Sequence, residues 1–234
     1  MVFIRSLIFL LLQLIITPLY ALLAILTFPF PPVTRYRIIS GWALSMIWLL
    51  RVLCGIRLEV LGAQNIPKEP CIVLCKHQSA WETMALQKVF PPQVWVLKRE
   101  LLWLPFFGWG LAMTSPVAIK RSNGREAVKQ LLRQGKDRLA QGFCVVIFPE
   151  GTRMPYGERG KYKIGGALLA ASSGAAVVPV AHNAGKLWGR NAFLKHPGVI
   201  TMSIGPAIDP HGLTTDEINR RAEEWIENEV LRLS

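Results

Sequence analysis

His77 and Glu82 stand five positions apart in Lys76-His77-Gln78-Ser79-Ala80-Trp81-Glu82, a base and an acid near enough in the chain to work as a pair. An imidazole that donates one ring N–H to a carboxylate keeps its other nitrogen free to take a proton, as a general base must. On one continuous helix, residues five apart lie about 140° around the axis and do not meet. The pair therefore needs a turn. The run Cys71-Ile72-Val73-Leu74-Cys75, after Pro67 and Pro70, reads as a short buried strand, and Thr83 to Gln87 as the first turns of a helix. A turn between them would let Glu82 fold back onto the ring. The same residues also allow a plainer reading: Ser79-x-x-Glu82 is a capping box, with Glu82 bonded to the Ser79 amide and His77 a satisfied loop histidine.

Three further segments carry chemistry. Phe148-Pro149-Glu150-Gly151-Thr152-Arg153 follows the strongest strand pattern, and its proline and glycine set a sharp turn that presents Glu150, Thr152 and Arg153 at a strand's carboxyl end. Open α/β sheets hold ligands there. The planar fork of Arg153 suits phosphate oxygens and Thr152 adds a hydroxyl donor. Lys98-Arg99-Glu100 leads into Leu101-Leu102-Trp103-Leu104-Pro105-Phe106-Phe107-Gly108-Trp109, an aromatic-rich run that is either core or the lining of a path for an acyl chain. Lys120 and Arg121 close a short strand with two more cations.

The elements that must position these residues follow from the apolar pattern. Strands are expected at 58–61, 71–75, 94–97, 117–119, 143–148, 176–181 and 199–204. Residues 124–141 read as an amphipathic helix stopped by Gly142, and 163–173 as a small-residue helix. Thr214-x-x-Glu217 opens a terminal helix with Ile218, Ala222, Trp225, Ile226 and Val230 on one side. This alternation predicts an α/β fold, a mostly parallel central sheet flanked by helices.

Between Ser6 and Thr34 there is no charged residue, and Leu7 to Phe28 is long enough to cross a bilayer, with a kink expected at Pro18. The segment exceeds a signal peptide's apolar core and lacks a cleavage pattern. A second stretch, 38–50, lies between Arg37 and Arg51 and carries Trp42 and Trp48. It reads as an interfacial helix, as the second arm of a hairpin in one leaflet, or as a core helix of the following domain. The expected organisation is an N-terminal hydrophobic membrane motif over 1–56 and a catalytic domain over 57–234.

With 51% hydrophobic residues and a net charge of +12, the chain does not fit a nucleic-acid binder and does fit work on anionic lipids at a membrane. Cys54, Cys71, Cys75 and Cys144 sit in apolar runs without metal-ligand spacing, as small buried residues of a reducing compartment; no metal is implied.

Taken in order, the hydrophobic N-terminus, His77–Trp81, Lys98–Trp109, Val117–Arg121, Phe148–Arg153 and Val177-Val178-Pro179-Val180 resemble the glycerolipid acyltransferase family, in its bacterial 1-acylglycerol-3-phosphate branch. The Phe-Pro-Glu-Gly-Thr-Arg block is matched in full. The family's first motif ends in aspartate; Glu82 stands there, one methylene longer. That departure fits a variant with a shifted backbone, or an impaired or repurposed site.

The resemblance implies acyl transfer from acyl-CoA or acyl carrier protein to the 2-hydroxyl of lysophosphatidic acid, with no cofactor beyond that thioester substrate. His77 would be the general base and Glu82 its orienting acid. Lys98, Arg121, Gly151, Thr152 and Arg153 would bind the acceptor, chiefly its phosphate, and Glu150 would position the glycerol end or order the arginines. Pro179 would shape the site. Implied partners are anionic membrane lipids, and the implied location is the bacterial cytoplasmic membrane with the catalytic domain inside. Another lysolipid as acceptor, or hydrolysis of the thioester by the same base, are the alternatives.

Overall fold

A computed structural model describes residues 1–90, 92–120 and 122–234. Arg121, one of the expected phosphate-binding cations, lies outside the described residues. Three helices come first: α1 (Val2–Leu26), α2 (Pro32–Ile39) and α3 (Gly41–Cys54). Then follow β1 (Ile56–Leu61), β2 (Ile72–Cys75), α4 (Trp81–Val89), β3 (Gln93–Lys98), α5 (Phe107–Met113), β4 (Val117–Ile119), α6 (Gly124–Ala140), β5 (Cys144–Ile147), α7 (Gly165–Ser173), β6 (Val177–His182), α8 (Ala184–Leu187), β7 (Gly198–Ile204) and α9 (Thr215–Arg232).

Among the described residues, seven strands form one sheet in the order β1-β7-β6-β2-β5-β3-β4. Every pairing is parallel except β6 with β7. The expected α/β fold with a mostly parallel sheet is therefore present, and each expected strand lies on an observed one. Every residue of β2, β5 and β6 is buried, because helices cover both faces. Alternate side chains feed two cores: Val73 and Cys75 join α3 and α4 on one face, Ile72 and Leu74 join α6, α7 and α9 on the other.

The order β2-β5-β3-β4 explains how distant motifs converge. The His77 loop leaves β2, the Phe148–Arg153 turn leaves β5, and Lys98 ends β3, so three neighbouring strands discharge them at one edge. Thr214 caps its helix as the sequence predicts, its Oγ1 accepting from Glu217 N at 3.2 Å, and Asn123 Oδ1 accepts from Glu126 N at 3.3 Å in the same way.

Helix α1 runs unbroken through Pro18. It and the apolar stretch Pro32–Cys54 are both long and apolar enough to cross a membrane. The second stretch is partly core: Met46, Leu50 and Cys54 are buried, while Leu44, Trp48 and Val52 face outward. Helix α1 touches the sheet domain near both its ends. Phe9 packs on Trp188 and Ser6 Oγ accepts the Lys195 amide at 3.0 Å, while Gly110 of α5 abuts Ala21 and Ala24.

Helix α9 closes the second face through a contact that leaves no spare volume. A Cβ at Gly205 would lie 2.6 Å from the Trp225 ring and 2.8 Å from Pro179 Cγ, closer than packed carbon atoms approach. Gly205→Ala should cost about 1–3 kcal/mol, read as a lower denaturation midpoint in detergent.

Candidate active site

The loop after β2 turns as the pair requires. His77 Nδ1 lies 2.7 Å from Glu82 Oε1, and the same oxygen accepts the amides of Gln78 at 3.0 Å and Ser79 at 2.9 Å. The capping contact and the histidine contact thus occur together, where the sequence offered them as alternatives. Ser79 Oγ accepts the Trp81 amide at 3.1 Å, steadying the helix start. An ionised carboxylate only accepts, so Nδ1 of His77 is the donor and Nε2 is left bare. The ring stacks on Phe148 at 3.9 Å between centroids, tilted by 14°.

Glu82 is fully buried. Burial by itself pushes its carboxyl up, but the His182 and His77 rings and the Ser79 amide outweigh it and hold it below the usual carboxylate range. His182, also fully buried, donates Nε2–H to Lys76 O at 2.9 Å and accepts the Ala184 amide on Nδ1 at 3.2 Å. Burial lowers its pKa, while the Glu82 carboxylate, whose Oε2 lies 3.9 Å from its Nε2, pulls the other way.

A cavity of about 360 Å³ opens at this loop. His77, Phe148, Gly151 and Arg153 line it together with Lys98 from the end of β3. Its other walls are largely apolar, from Ala21 of α1, Trp42 of α3, Leu101, and Phe107 and Leu111 of α5. Of the aromatic-rich run, Leu101 and Phe107 line the cavity while Trp103, Leu104 and Phe106 do not, and all five are exposed. Arg153 Nε is buried without a partner among the described residues, so a donor stands ready for an oxygen-rich ligand.

Not every expected site residue meets that cavity. Glu150 is turned inward: Oε1 bonds Lys76 Nζ at 2.7 Å and Oε2 accepts the His77 amide at 3.0 Å. Its carboxylate therefore holds the His77 loop from behind and does not line the cavity. Thr152 is exposed and off the cavity wall. Pro179 lies within β6 against Gly205, not on the wall. Gly151, at φ +71°, brings its backbone to the wall where a Cβ would meet Lys163 Nζ at 2.5 Å.

Sequence reasoning missed the buried ion cluster behind the loop. Lys76 is fully buried, and its ammonium reaches Glu150 Oε1, Glu227 Oε1 at 2.9 Å and Glu158 O at 3.1 Å. Tyr162 donates to Glu227 Oε1 at 2.8 Å. A lysine directly after an apolar strand was the available signal; nothing local announces Glu227, 151 positions away.

The family model described as Acyltransferase matches residues 57–183. A Pseudomonas aeruginosa protein named 1-acyl-sn-glycerol-3-phosphate acyltransferase is 48% identical over 204 residues, covering 86% of this chain and 79% of that one. The mouse 1-acyl-sn-glycerol-3-phosphate acyltransferase alpha is 29% identical over 207 residues, covering 86% and 72%. The crystal structure of the 1-acyl-sn-glycerophosphate (LPA) acyltransferase PlsC from Thermotoga maritima superposes with a TM-score of 0.82 at 21% identity, over 98% of this chain and 95% of that one. That last likeness is one of fold.

Because the folded His182 ring resists protonation, the unfolded chain takes the proton first as pH falls below about 6.5, and stability drops. Glu82, held low, adds loss in the carboxylate range; Glu150, pushed up by burial against the pull of Lys76, works in the opposite sense. The denaturation midpoint should fall between pH 7.5 and 5.5, and His182→Gln, which keeps a donor to Lys76 O, should flatten that fall while lowering the midpoint at pH 7.5.

Proposed function

The chain belongs to the acyltransferase family and is an acyltransferase enzyme, and on that footing we propose that it acylates the 2-hydroxyl of lysophosphatidic acid to give phosphatidic acid. One observation carries the reading: His77, tied to buried Glu82 at 2.7 Å, shares a cavity with Arg153 and an apolar wall. The acyl donor is a thioester on coenzyme A or acyl carrier protein, already activated, so the enzyme needs no nucleophile of its own.

His77 Nε2 takes the proton of the acceptor hydroxyl as its oxygen attacks the thioester carbonyl. The tetrahedral intermediate then collapses with loss of the thiolate, to which the imidazolium returns the proton. Glu82 holds the ring in the one tautomer that leaves Nε2 basic and stabilises the imidazolium between the two steps. Arg153 and Lys98 hold the acceptor's phosphate. The apolar wall takes a fatty chain directly from the lipid phase, because α1 and α5 supply part of it.

Helix α1 rests on the sheet domain near both ends, which suits a helix lying along the domain in one leaflet better than one crossing away from it. Its exposed leucines and isoleucines then face lipid, and Arg35 and Arg37 stay on the domain's side. In a bacterial cell that side is the cytoplasmic face of the inner membrane.

Purified enzyme in detergent, given labelled acyl thioester and a panel of lysolipids, should form phosphatidic acid from lysophosphatidate. His77→Ala should lower kcat by about 10²–10⁴-fold with folding retained. Product from a different lysolipid alone would replace the acceptor, and free fatty acid without lipid product would make the enzyme a hydrolase. Arg153→Ala should raise KM for lysophosphatidate and leave KM for the thioester unchanged. Glu82→Asp should lower kcat, because the shorter acid cannot reach His77 and both loop amides from this backbone.

A further inference from the structure

The His77 peptide is held from behind, on the side away from the cavity. Glu150 Oε2 accepts its amide, and Met154 N donates to its carbonyl at 2.7 Å. Glu150 is in turn fixed by Lys76, whose side chain is fully buried. Of that ammonium's three hydrogens, one goes to Glu150 and one to Glu158 O; the third goes to Glu227 of α9. Glu227 Oε1 also accepts the Tyr162 hydroxyl, and one turn earlier Glu223 pairs with Arg159 at 2.6 Å.

Helix α9 thus ties down the loop before the base through Lys76, and the 149–163 segment bearing Arg153 through Glu158, Arg159 and Tyr162. A buried ammonium is stable only while its partners are in place, so the two loops keep their mutual spacing only while Glu227 does. We propose that Glu227 is a positioning residue for acyl transfer, setting the height of His77 against Arg153 through Lys76 and Glu150. This rests on the reading of His77 as the base. Glu227 lies beyond the 57–183 span of the family match, so α9 completes the site from outside it.

Geometry, and not charge, is what Glu227 supplies. An amide oxygen accepts from Lys76 and Tyr162 as a carboxylate oxygen does, so Glu227→Gln should keep kcat within about threefold of wild type. Glu227→Ala should lower kcat by about 10- to 100-fold, the cost of a small misplacement of reacting groups, with KM for both substrates little changed. Glu227→Asp falls short by one C–C bond, about 1.5 Å, and should give an intermediate loss; it serves where the alanine variant does not fold. Glu224→Ala, on the outer side of α9 with Arg220 as its partner, is the control that should leave kcat unchanged.

The full chain labelled with ¹⁵N-histidine supplies a readout that needs no substrate. The Nδ1–H signal of His77, identified by its loss in His77→Ala, should shift or broaden in Glu227→Ala and Glu227→Asp and return in Glu227→Gln. If the chosen acceptor proves wrong, kinetics fall silent for every variant while this signal still tests the positioning. Folded Glu227→Ala or Glu227→Asp enzyme with wild-type kcat and an unmoved imidazole signal would overturn the proposal, as would a Glu227→Gln variant as impaired as the alanine one.

Discussion

One carboxylate oxygen organises the site. Glu82 Oε1 accepts from the His77 ring and from two successive loop amides, and it does so fully buried. Those donors would otherwise be buried donors without partners, each costing about 1–3 kcal/mol. The loop therefore has a single satisfactory conformation, and that conformation places His77 on the cavity wall with its Nδ1 engaged. The tautomer, the ring orientation and the start of α4 are consequences of the same set of bonds.

The extra methylene of Glu82 gains a physical meaning from this. An acid that only faced the histidine could be lengthened at little cost by a change of rotamer. Here the acid must also reach the amides of Gln78 and Ser79, and the longer side chain folds back far enough to do so. Of the readings the sequence left open, a site whose backbone accommodates glutamate agrees with these distances. The imidazole and carboxylate keep a hydrogen bond of ordinary length, as a shifted backbone that suits the longer acid requires.

What could be read from residues alone divides by the range of the interaction. Strands β2, β5 and β6 were legible because burial on both faces demands unbroken apolar runs. The start of α9 was legible because Thr214 caps an amide three residues on. The Glu82–His77 contact was legible because five residues span it. Glu150 was misread. Its motif placed it correctly at a strand end, but which way its side chain turns depends on Lys76 and on Glu227 at the far end of the chain. The double life of α3, core on one side and open on the other, was likewise hidden, because Trp48 and Leu50 are equally apolar letters.

The cavity's makeup shows why the hydrophobic helices and the sheet must act as one body. His77 and Arg153 come from loops of the sheet, whereas Thr17, Tyr20 and Ala21 come from α1 and Trp42 from α3. A site assembled this way keeps its shape only if α1 is pinned to the domain. The pins differ in character: near one end Lys195 sits over the Phe9 and Trp188 rings and Ser6 receives its amide, while near the other Gly110 lets α5 approach Ala21 and Ala24 without side chains between. Close backbone approach through small residues works as well in lipid as in water, since it depends on packing and not on expelling water. The polar pin sits where Lys195 is buried among aromatic rings, so it too is shielded from competing solvent. Both attachments therefore suit a boundary between lipid and water, as the acyl transfer proposed above requires.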